Sequence, residues 1–196
     1  DSVDASKFRI LNMLNTKYFI FPAGQGQTVP IENPYAYGNA WFVDKVEYVD
    51  NANQEIDALN TILPTETAVV DTRFKDILKG VTTVHKDSLS SVRLTNYEPN
   101  RLVYETNNSK DGVVVFSEIY YPDGWHVTID GQPAELARAD YILRTMYVPA
   151  GQHTIEMRFD PTSLHVTEGI AYGALALLVI GIIVAVLIAK RKYVKA

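Results

Sequence analysis

The longest uninterrupted apolar stretch of the chain lies near its end, from Gly169 to Ala189, and contains no charged side chain. A helix of this length spans about 31 Å at roughly 1.5 Å per residue, which matches the hydrocarbon thickness of a bilayer. A helix inside a water-soluble fold is rarely apolar on every face over such a length. Because unpaired backbone groups are not tolerated in lipid, the stretch predicts one transmembrane α-helix with Gly169 and Ala189 at its ends.

A series of short alternating segments fills residues 91–161. Seven of these segments favour strands, because apolar and polar residues alternate within them and turn signals separate them. Asp130-Gly131 is the clearest turn, since both positions tolerate positive φ. The series predicts a mainly β fold, with an antiparallel β-sandwich of immunoglobulin-like or jelly-roll-like type over residues 91–161.

The first 90 residues show a mixed pattern. Apolar residues at helical spacing predict short helices over Phe8–Leu14 and Gln54–Leu63, with β-prone runs around them. Residues 22–40 are rich in Gly, Pro, Gln and Asn, which predicts a long irregular loop. The expected order is a small α+β unit over residues 1–90, the sandwich, a linker over 162–168, the membrane helix and a tail over 190–196.

Charge is distributed unevenly along the chain, and this orients the predicted membrane helix. Residues 1–168 contain all 23 acidic residues and 14 of the 18 basic ones, a net charge of −9. Basic residues next to a membrane helix favour the cytoplasmic side. We therefore expect residues 1–168 outside a bacterial inner membrane, in the periplasm of a Gram-negative cell, with the bilayer as partner. The basic residues that anchor the cytoplasmic tail are Lys190, Arg191, Lys192 and Lys195.

Composition argues against several classes of function. The chain has no cysteine, so a disulfide framework, a thiolate metal site and a cysteine nucleophile are excluded. The acidic body lacks the basic stripe that nucleic-acid binding requires. The four histidines are scattered, and no nucleophile elbow, phosphate loop or dinucleotide fingerprint is present. We expect no metal, no cofactor and no catalytic residue in this chain.

The chain begins Asp1-Ser2-Val3-Asp4, without the basic start and apolar core of an export signal. An extracytoplasmic domain needs such a signal or an upstream membrane segment. We therefore expect this chain to be part of a longer protein, whose upstream transmembrane helices are its second partner.

Several ordered motifs resemble one known family. The run over residues 118–131 reads EIYYPDGWHVTIDG, and residues 148–155 read VPAGQHTI. Phe159-Asp160-Pro161 then precedes the membrane helix, while residues 11–20 and 33–43 fit in order and spacing. This set resembles the end of the bacterial membrane protein YfhO family, and the likeness covers most of the chain.

The resemblance implies a large parent protein with many membrane helices, similar to GT-C glycosyltransferases that use lipid-linked sugar donors. Some members are implicated in adding sugars to cell-envelope polymers. In such enzymes the acidic catalytic residues lie in an early extracytoplasmic loop, so none is carried over to this chain. The implied role is an accessory one: to position acceptor glycan or protein near the active site, or to brace the membrane bundle. A carbohydrate-binding module and a purely structural or assembly domain are the alternatives.

Aromatic residues are the candidates for glycan or surface contact. Trp125 follows a turn; it either stacks on a sugar ring or, as large aromatic residues more often do, fills the core. Tyr121 adjoins another tyrosine in a strand, so the two face opposite sides. The others lie in or beside the long loop and either contact a glycan or the membrane, or pin the loop onto the domain. These loop residues are Tyr35, Tyr37 and Trp41.

Overall fold

The computed structural model describes residues 7–24 and 26–194, with side chains described as far as residue 190. Strands dominate the described part of the chain. The helices are α1 (Arg9–Met13), α2 (Ala52–Ala58) and α3 (Thr162–Val194). The early strands are β1 (Tyr18–Gly24), β2 (Gln27–Glu32), β3 (Ala40–Phe42), β4 (Lys45–Val49) and β5 (Thr67–Asp71). The later strands are β6 (Ser91–Glu98), β7 (Arg101–Asn108), β8 (Gly112–Ile119), β9 (Trp125–Ile129), β10 (Gln132–Ala134), β11 (Ala137–Ala139), β12 (Leu143–Val148) and β13 (Gly151–Phe159).

The strands form two large sheets and one separate hairpin. The five-stranded sheet has the order β10-β9-β13-β7-β6, and the six-stranded sheet has the order β3-β8-β12-β11-β5-β4. All pairings are antiparallel except β4 with β5, which are parallel because α2 returns the chain between them. The mainly β antiparallel fold, the small α+β unit near its start and the apolar helix at its end are confirmed. The six-stranded sheet takes strands from both sides of residue 90.

The two large sheets pack face to face around an apolar core. Tyr104 and Phe116 meet edge-to-face with ring centroids 4.8 Å apart, and both are fully buried. Leu102, Ile155 and Met157 fill the same layer. The alternation of buried and exposed residues along β7 is the period-2 pattern of a strand with one face in the core.

The six-stranded sheet is covered on its other face as well. Met13 of α1, Leu59 after α2 and Leu78 are buried against it. The uninterrupted apolar run over residues 113–116 follows from this, because its alternate side chains enter the two different cores. Strands buried on both faces lose the alternation that strands with one wet face retain.

A buried polar cluster joins α2 to the strands beneath it. Glu55 is fully buried; it pairs with Arg138 Nη2 at 2.6 Å and accepts a hydrogen bond from the Tyr141 backbone N–H at 3.0 Å. Asp140, also fully buried, accepts from the Val69 N–H at 2.9 Å, while its Oδ2 atom has no hydrogen-bond partner among the described residues. Burial raises the pKa of Glu55 and brings the pKa of Asp140 to about 7.

The irregular loop expected over residues 22–40 is in part a β-hairpin. β1 and β2 pair through residues 18–32, which leaves 33–39 as the irregular segment. Pro22 and Pro30 hide these strands from sequence patterns, since proline disfavours the centre of a sheet. In the described part of the chain the hairpin pairs with no third strand, so its prolines occupy edge strands that tolerate them.

α3 runs continuously from Thr162 to Val194 and is exposed along its described length. Residues 162–168, the expected linker, form its first turns. The part long and apolar enough to cross a membrane is Thr162–Lys190, so Gly169 and Ala189 lie inside a longer helix. Of the predicted basic anchors, Lys190 is exposed; the side chains of Arg191 and Lys192, and the whole of Lys195, lie outside the described residues.

The start of α3 is fastened to the turn between β8 and β9. The Asp160 N–H donates to the Gly124 carbonyl at 2.7 Å, and the Asp160 carboxylate lies 2.6 Å from His165 Nε2 in the first turns of α3. His126 Nε2 lies 3.2 Å from the Asp160 carbonyl oxygen. The β-sandwich and the helix therefore meet at a joint held by several polar contacts.

We expect Gly124→Ala to cost about 1–3 kcal/mol more folding stability than Gly131→Ala. Both glycines have positive φ, 82° and 78°. A Cβ at Gly124 would lie 2.8 Å from Pro161 Cβ and 2.9 Å from the Phe159 ring, whereas one at Gly131 would meet nothing within 4 Å. Chemical unfolding of the detergent-solubilised variants measures the difference, and equal costs would contradict close packing at the joint.

Stability should fall as pH rises from about 4 to about 7, between the ordinary pKa of an aspartate, 3.8, and the pKa of about 7 of buried Asp140. A carboxyl with a raised folded-state pKa contributes stability that is fully present below its unfolded pKa and is lost progressively by the time pH reaches its folded pKa. Asp140→Asn should flatten the profile and stabilise the protein at about pH 8 by about 2–4 kcal/mol, since one pKa unit corresponds to about 1.4 kcal/mol. Thermal unfolding between about pH 4 and pH 8 tests this; an unchanged slope in the variant would refute it.

Candidate functional site

A cleft of about 490 Å³ opens beside the joint between the sandwich and α3. One wall is the turn after β8 and the start of β9, and the other is the segment that links β10 to β11. The cleft brings together Tyr121 and Trp125, two of the residues predicted from sequence. Its lining is partly aromatic and aliphatic, with polar groups contributed by His126, Thr128 and Glu135.

Trp125 forms the inner wall of the cleft and is half-buried. The Arg144 guanidinium carbon lies 3.9 Å from its ring centroid, and the Phe159 ring packs against it with centroids 5.3 Å apart. Arg144 is itself buried and donates from Nε to the Ile119 carbonyl at 3.0 Å. Trp125 thus packs against the core, the more common of the two roles considered for it, while it also shapes the cleft.

Tyr121 is the exposed aromatic residue of the cleft, with 55% of its surface accessible. Its neighbour Tyr120 is half-buried and packs edge-on against Phe74, with ring centroids 5.6 Å apart. Both tyrosines lie just beyond the end of β8 and not within a strand as expected; Tyr120 lines the cleft while packed on Phe74, and Tyr121 presents its ring to solvent. The phenol of Tyr121 is the surface on which a ligand ring can stack.

Two groups of opposite charge, Glu118 and Arg144, influence each other's pKa near the end of β8. Burial raises the pKa of the Glu118 carboxyl, and the Arg144 guanidinium opposes that effect. Burial lowers the pKa of Arg144, while Glu118 and Tyr104 act in the opposite direction. The charge of Arg144 is held against the Trp125 ring, a favourable cation–π arrangement. Arg144, bonded to the Ile119 carbonyl and packed on Trp125, therefore holds the wall of the cleft in place.

The loop aromatic residues form a separate group, away from the lining of the cleft. Trp41 is buried and donates from Nε1 to the Pro64 carbonyl at 2.8 Å. Tyr37 packs edge-on against Trp41, with ring centroids 5.5 Å apart. These two pin the loop onto the sheet, so Trp41 offers no surface to a ligand. Tyr35 is exposed and is the member of the group that remains a candidate for surface contact.

A second groove, of about 500 Å³, lies at the far end of the five-stranded sheet and is strongly polar. Its charged residues pair with one another: Arg93 with Glu105 at 2.8 Å, and His153 with Asp130 at 2.6 Å. The hydrogen bond to Asp130 raises the pKa of His153 and lowers that of Asp130. In the part of the chain that the structure describes, no group of three metal-binding side chains is assembled.

Sequence reasoning did not find Arg144 or the segment over residues 133–136 as parts of the cleft. Arg144 alternates with Met146 and Val148 in β12, so its position in the strand assigns it to the core face. A charged residue on a core face was the available signal, because such residues are rarely buried without a specific partner. The segment 133–136 carries no comparable signal.

These observations define a class of protein: a two-sheet β domain joined firmly to one helix that is long and apolar enough to cross a membrane. The family model described as "Bacterial membrane protein YfhO" matches residues 65–171, and the chain belongs to that family. No curated protein and no solved structure matches the chain. The family resemblance stated from the sequence motifs is thereby confirmed, and a membrane location fits both the family and α3.

We expect Trp125→Ala to destabilise the fold by about 2–4 kcal/mol, because it removes a large side chain packed between Arg144 and Phe159. Tyr121→Ala should change stability by about 0.5 kcal/mol or less, since that side chain is mostly exposed. Chemical unfolding of both variants tests whether Trp125 is a structural part of the cleft wall and Tyr121 an exposed ring. Similar losses of folding stability in the two variants would show that Tyr121 also supports the fold.

Proposed function

We propose that this chain is a non-catalytic extracytoplasmic accessory part of a GT-C-like glycosyltransferase of the cell envelope, and that its cleft holds acceptor glycan. The observation that carries the proposal is the exposed Tyr121 ring beside the Trp125 wall, at the base of the sandwich. Sugar rings combine an apolar face with hydroxyl groups at the edge. An aromatic surface with a few polar groups around it suits that chemistry.

The position of the cleft supports a role near the bilayer. Gly124 lies between Tyr121 and Trp125 in the chain, and its backbone carbonyl is bonded to Asp160 just before α3. A ligand in the cleft would therefore lie close to the start of the membrane helix. Lipid-linked sugar donors are confined to the membrane, so an acceptor must be brought to this level before transfer.

The proposed topology places residues 1–168 outside the inner membrane and the basic tail in the cytoplasm. It is supported by the charge pattern, since no acidic residue follows Glu168 and basic residues begin at Lys190. The partners proposed for this region are the bilayer, the upstream membrane helices of the parent protein and envelope glycan. Sugar transfer by this chain alone would contradict the non-catalytic role.

The carbohydrate-binding module is the second candidate, and it calls for a row of exposed aromatic residues on a sheet face. The outer face of the five-stranded sheet instead carries ion pairs, both between strands and within one strand. Arg101 lies 2.8 Å from Glu156, and Arg158 lies 3.2 Å from the same carboxylate. This face is a solvated polar surface, so the cleft is the better place for a glycan.

Tyr121→Ala should weaken glycan binding about tenfold, the equivalent of roughly 1.4 kcal/mol for one stacked aromatic ring. The matched control is Tyr97→Ala, because Tyr97 is 66% exposed and lies outside the cleft lining. The probe is an array of bacterial envelope oligosaccharides, presented to the full chain in lipid nanodiscs. Equal binding by the two variants, or no binding by the unmodified chain, would contradict the proposal.

A further inference from the structure

The hairpin formed by β1 and β2 is unusually apolar for a surface element. Residues 18–31 contain no charged side chain, and the nearest charges are Lys17 and Glu32 at its base. Ile20 is 71% exposed, and Val29 and Ile31 are also exposed. The two strands pair with each other and with neither large sheet. A lone two-stranded hairpin is marginally stable in water, so this one depends on another surface.

Both faces of the hairpin contribute to its apolar character. The pairing places Phe19 opposite Ile31 and Phe21 opposite Val29, which puts these four side chains on one face. Phe8 extends that face, with its ring centroid 5.6 Å from that of Phe19. The opposite face carries Tyr18, Ile20, Pro22, Pro30 and the uncharged polar residue Thr28, with Glu32 opposite Tyr18 at the base. A hairpin lying on a water-soluble body normally has one face rich in charged residues, whereas above its base this one carries no charge on either face.

The base of the hairpin is held rigidly by an asparagine network. Asn33 donates from Nδ2 to Asn12 Oδ1 at 2.8 Å and to the Thr16 carbonyl at 2.7 Å. Its backbone N–H donates to the Lys17 carbonyl at 2.7 Å, which closes the hairpin. Asn12 and Asn33 are buried, so these bonds are shielded from water. The base of the hairpin is therefore held in a fixed position on the domain.

The hairpin and α3 are attached to the same end of the sandwich. Ser117, near the end of β8, donates from Oγ to the carbonyl of Met13 at 2.9 Å, which fixes the end of α1 that leads into the hairpin. β8 then runs to Ile119 and continues into the turn at Gly124, which is bonded to Asp160 before α3. The uncharged hairpin thus begins beside the end from which the membrane helix departs.

We propose that the β1–β2 hairpin inserts into the interfacial region of the bilayer that α3 crosses, as a second membrane contact of the β domain. A bilayer can surround both faces of the hairpin, which accounts for the absence of charge on both. A protein groove would cover only one face and would not require the other to be uncharged. Tyr18 and Lys17 at the base suit the headgroup level, where a phenol or a long basic side chain keeps its polar end wet. This proposal depends on α3 as a membrane span and is independent of glycan binding.

The absence of cysteine permits a direct test with single-cysteine variants of the full chain. Ile20→Cys is labelled with the fluorophore NBD in nanodiscs of phosphatidylethanolamine and phosphatidylglycerol, with and without doxyl-labelled lipid as quencher. We expect doxyl lipid to lower the emission at least twofold. Because Ile20 is mostly exposed, the substitution should leave the fold intact, which near-ultraviolet circular dichroism checks.

The matched control is Leu89→Cys, at an apolar residue that is 65% exposed. Its neighbour Asp87 is hydrogen-bonded to Ser109, beyond the end of β7 that lies away from α3. Emission from this site should be unaffected by the doxyl lipid. A second hairpin variant, Val29→Cys, should be quenched like Ile20→Cys.

Two outcomes would overturn the proposal. Quenching at the hairpin sites no greater than at Leu89 would show that the hairpin stays out of the lipid. The sites could also be protected from a water-soluble quencher only when the membrane helices of the parent protein are supplied. That result would show that the hairpin binds a protein partner.

Discussion

Burial of the six-stranded sheet on both faces is the constraint on which the rest of the structure depends. Its strands supply side chains to two cores, one against the five-stranded sheet and one beneath α1 and α2. With no disulfide in the chain, this double burial is the main source of stability available. It also explains why a fully buried carboxylate, Glu55, is matched to Arg138: an unpaired charge in the helical layer would be very costly.

The same packing positions the cleft. Arg144 lies between the sheets, holds the Trp125 ring and bonds the end of β8, so the inner wall of the cleft is an extension of the core. Tyr121 follows on the adjacent turn and stays exposed. Ligand-facing residues carried on a rigid support need less ordering when they bind, which lowers the entropic cost of association.

Local features of the fold were readable from sequence, and long-range pairings were not. Asp130-Gly131 forms its predicted turn with φ of 52° and 78°, and the uncharged stretch is helical. The pairing of β3 with β8 joins segments separated by about 70 residues, and no local pattern specifies such a partner. In the cleft, the sequence could indicate only that Tyr121 and its neighbour differ in burial, and both lie beyond the end of β8. The Arg144–Trp125 contact depends on the packing of one sheet on the other.

The joint at Asp160 has a mechanical consequence. β13 ends at Phe159, α3 begins at Thr162, and the residues between them are fastened to the β8–β9 turn. Because this connection is short and constrained, the helix and the sandwich move together as one rigid unit. If α3 crosses a membrane with the sandwich outside, as proposed, a tilt of the helix moves the sandwich with it, so the height of the Tyr121 ring above the lipid changes with the tilt.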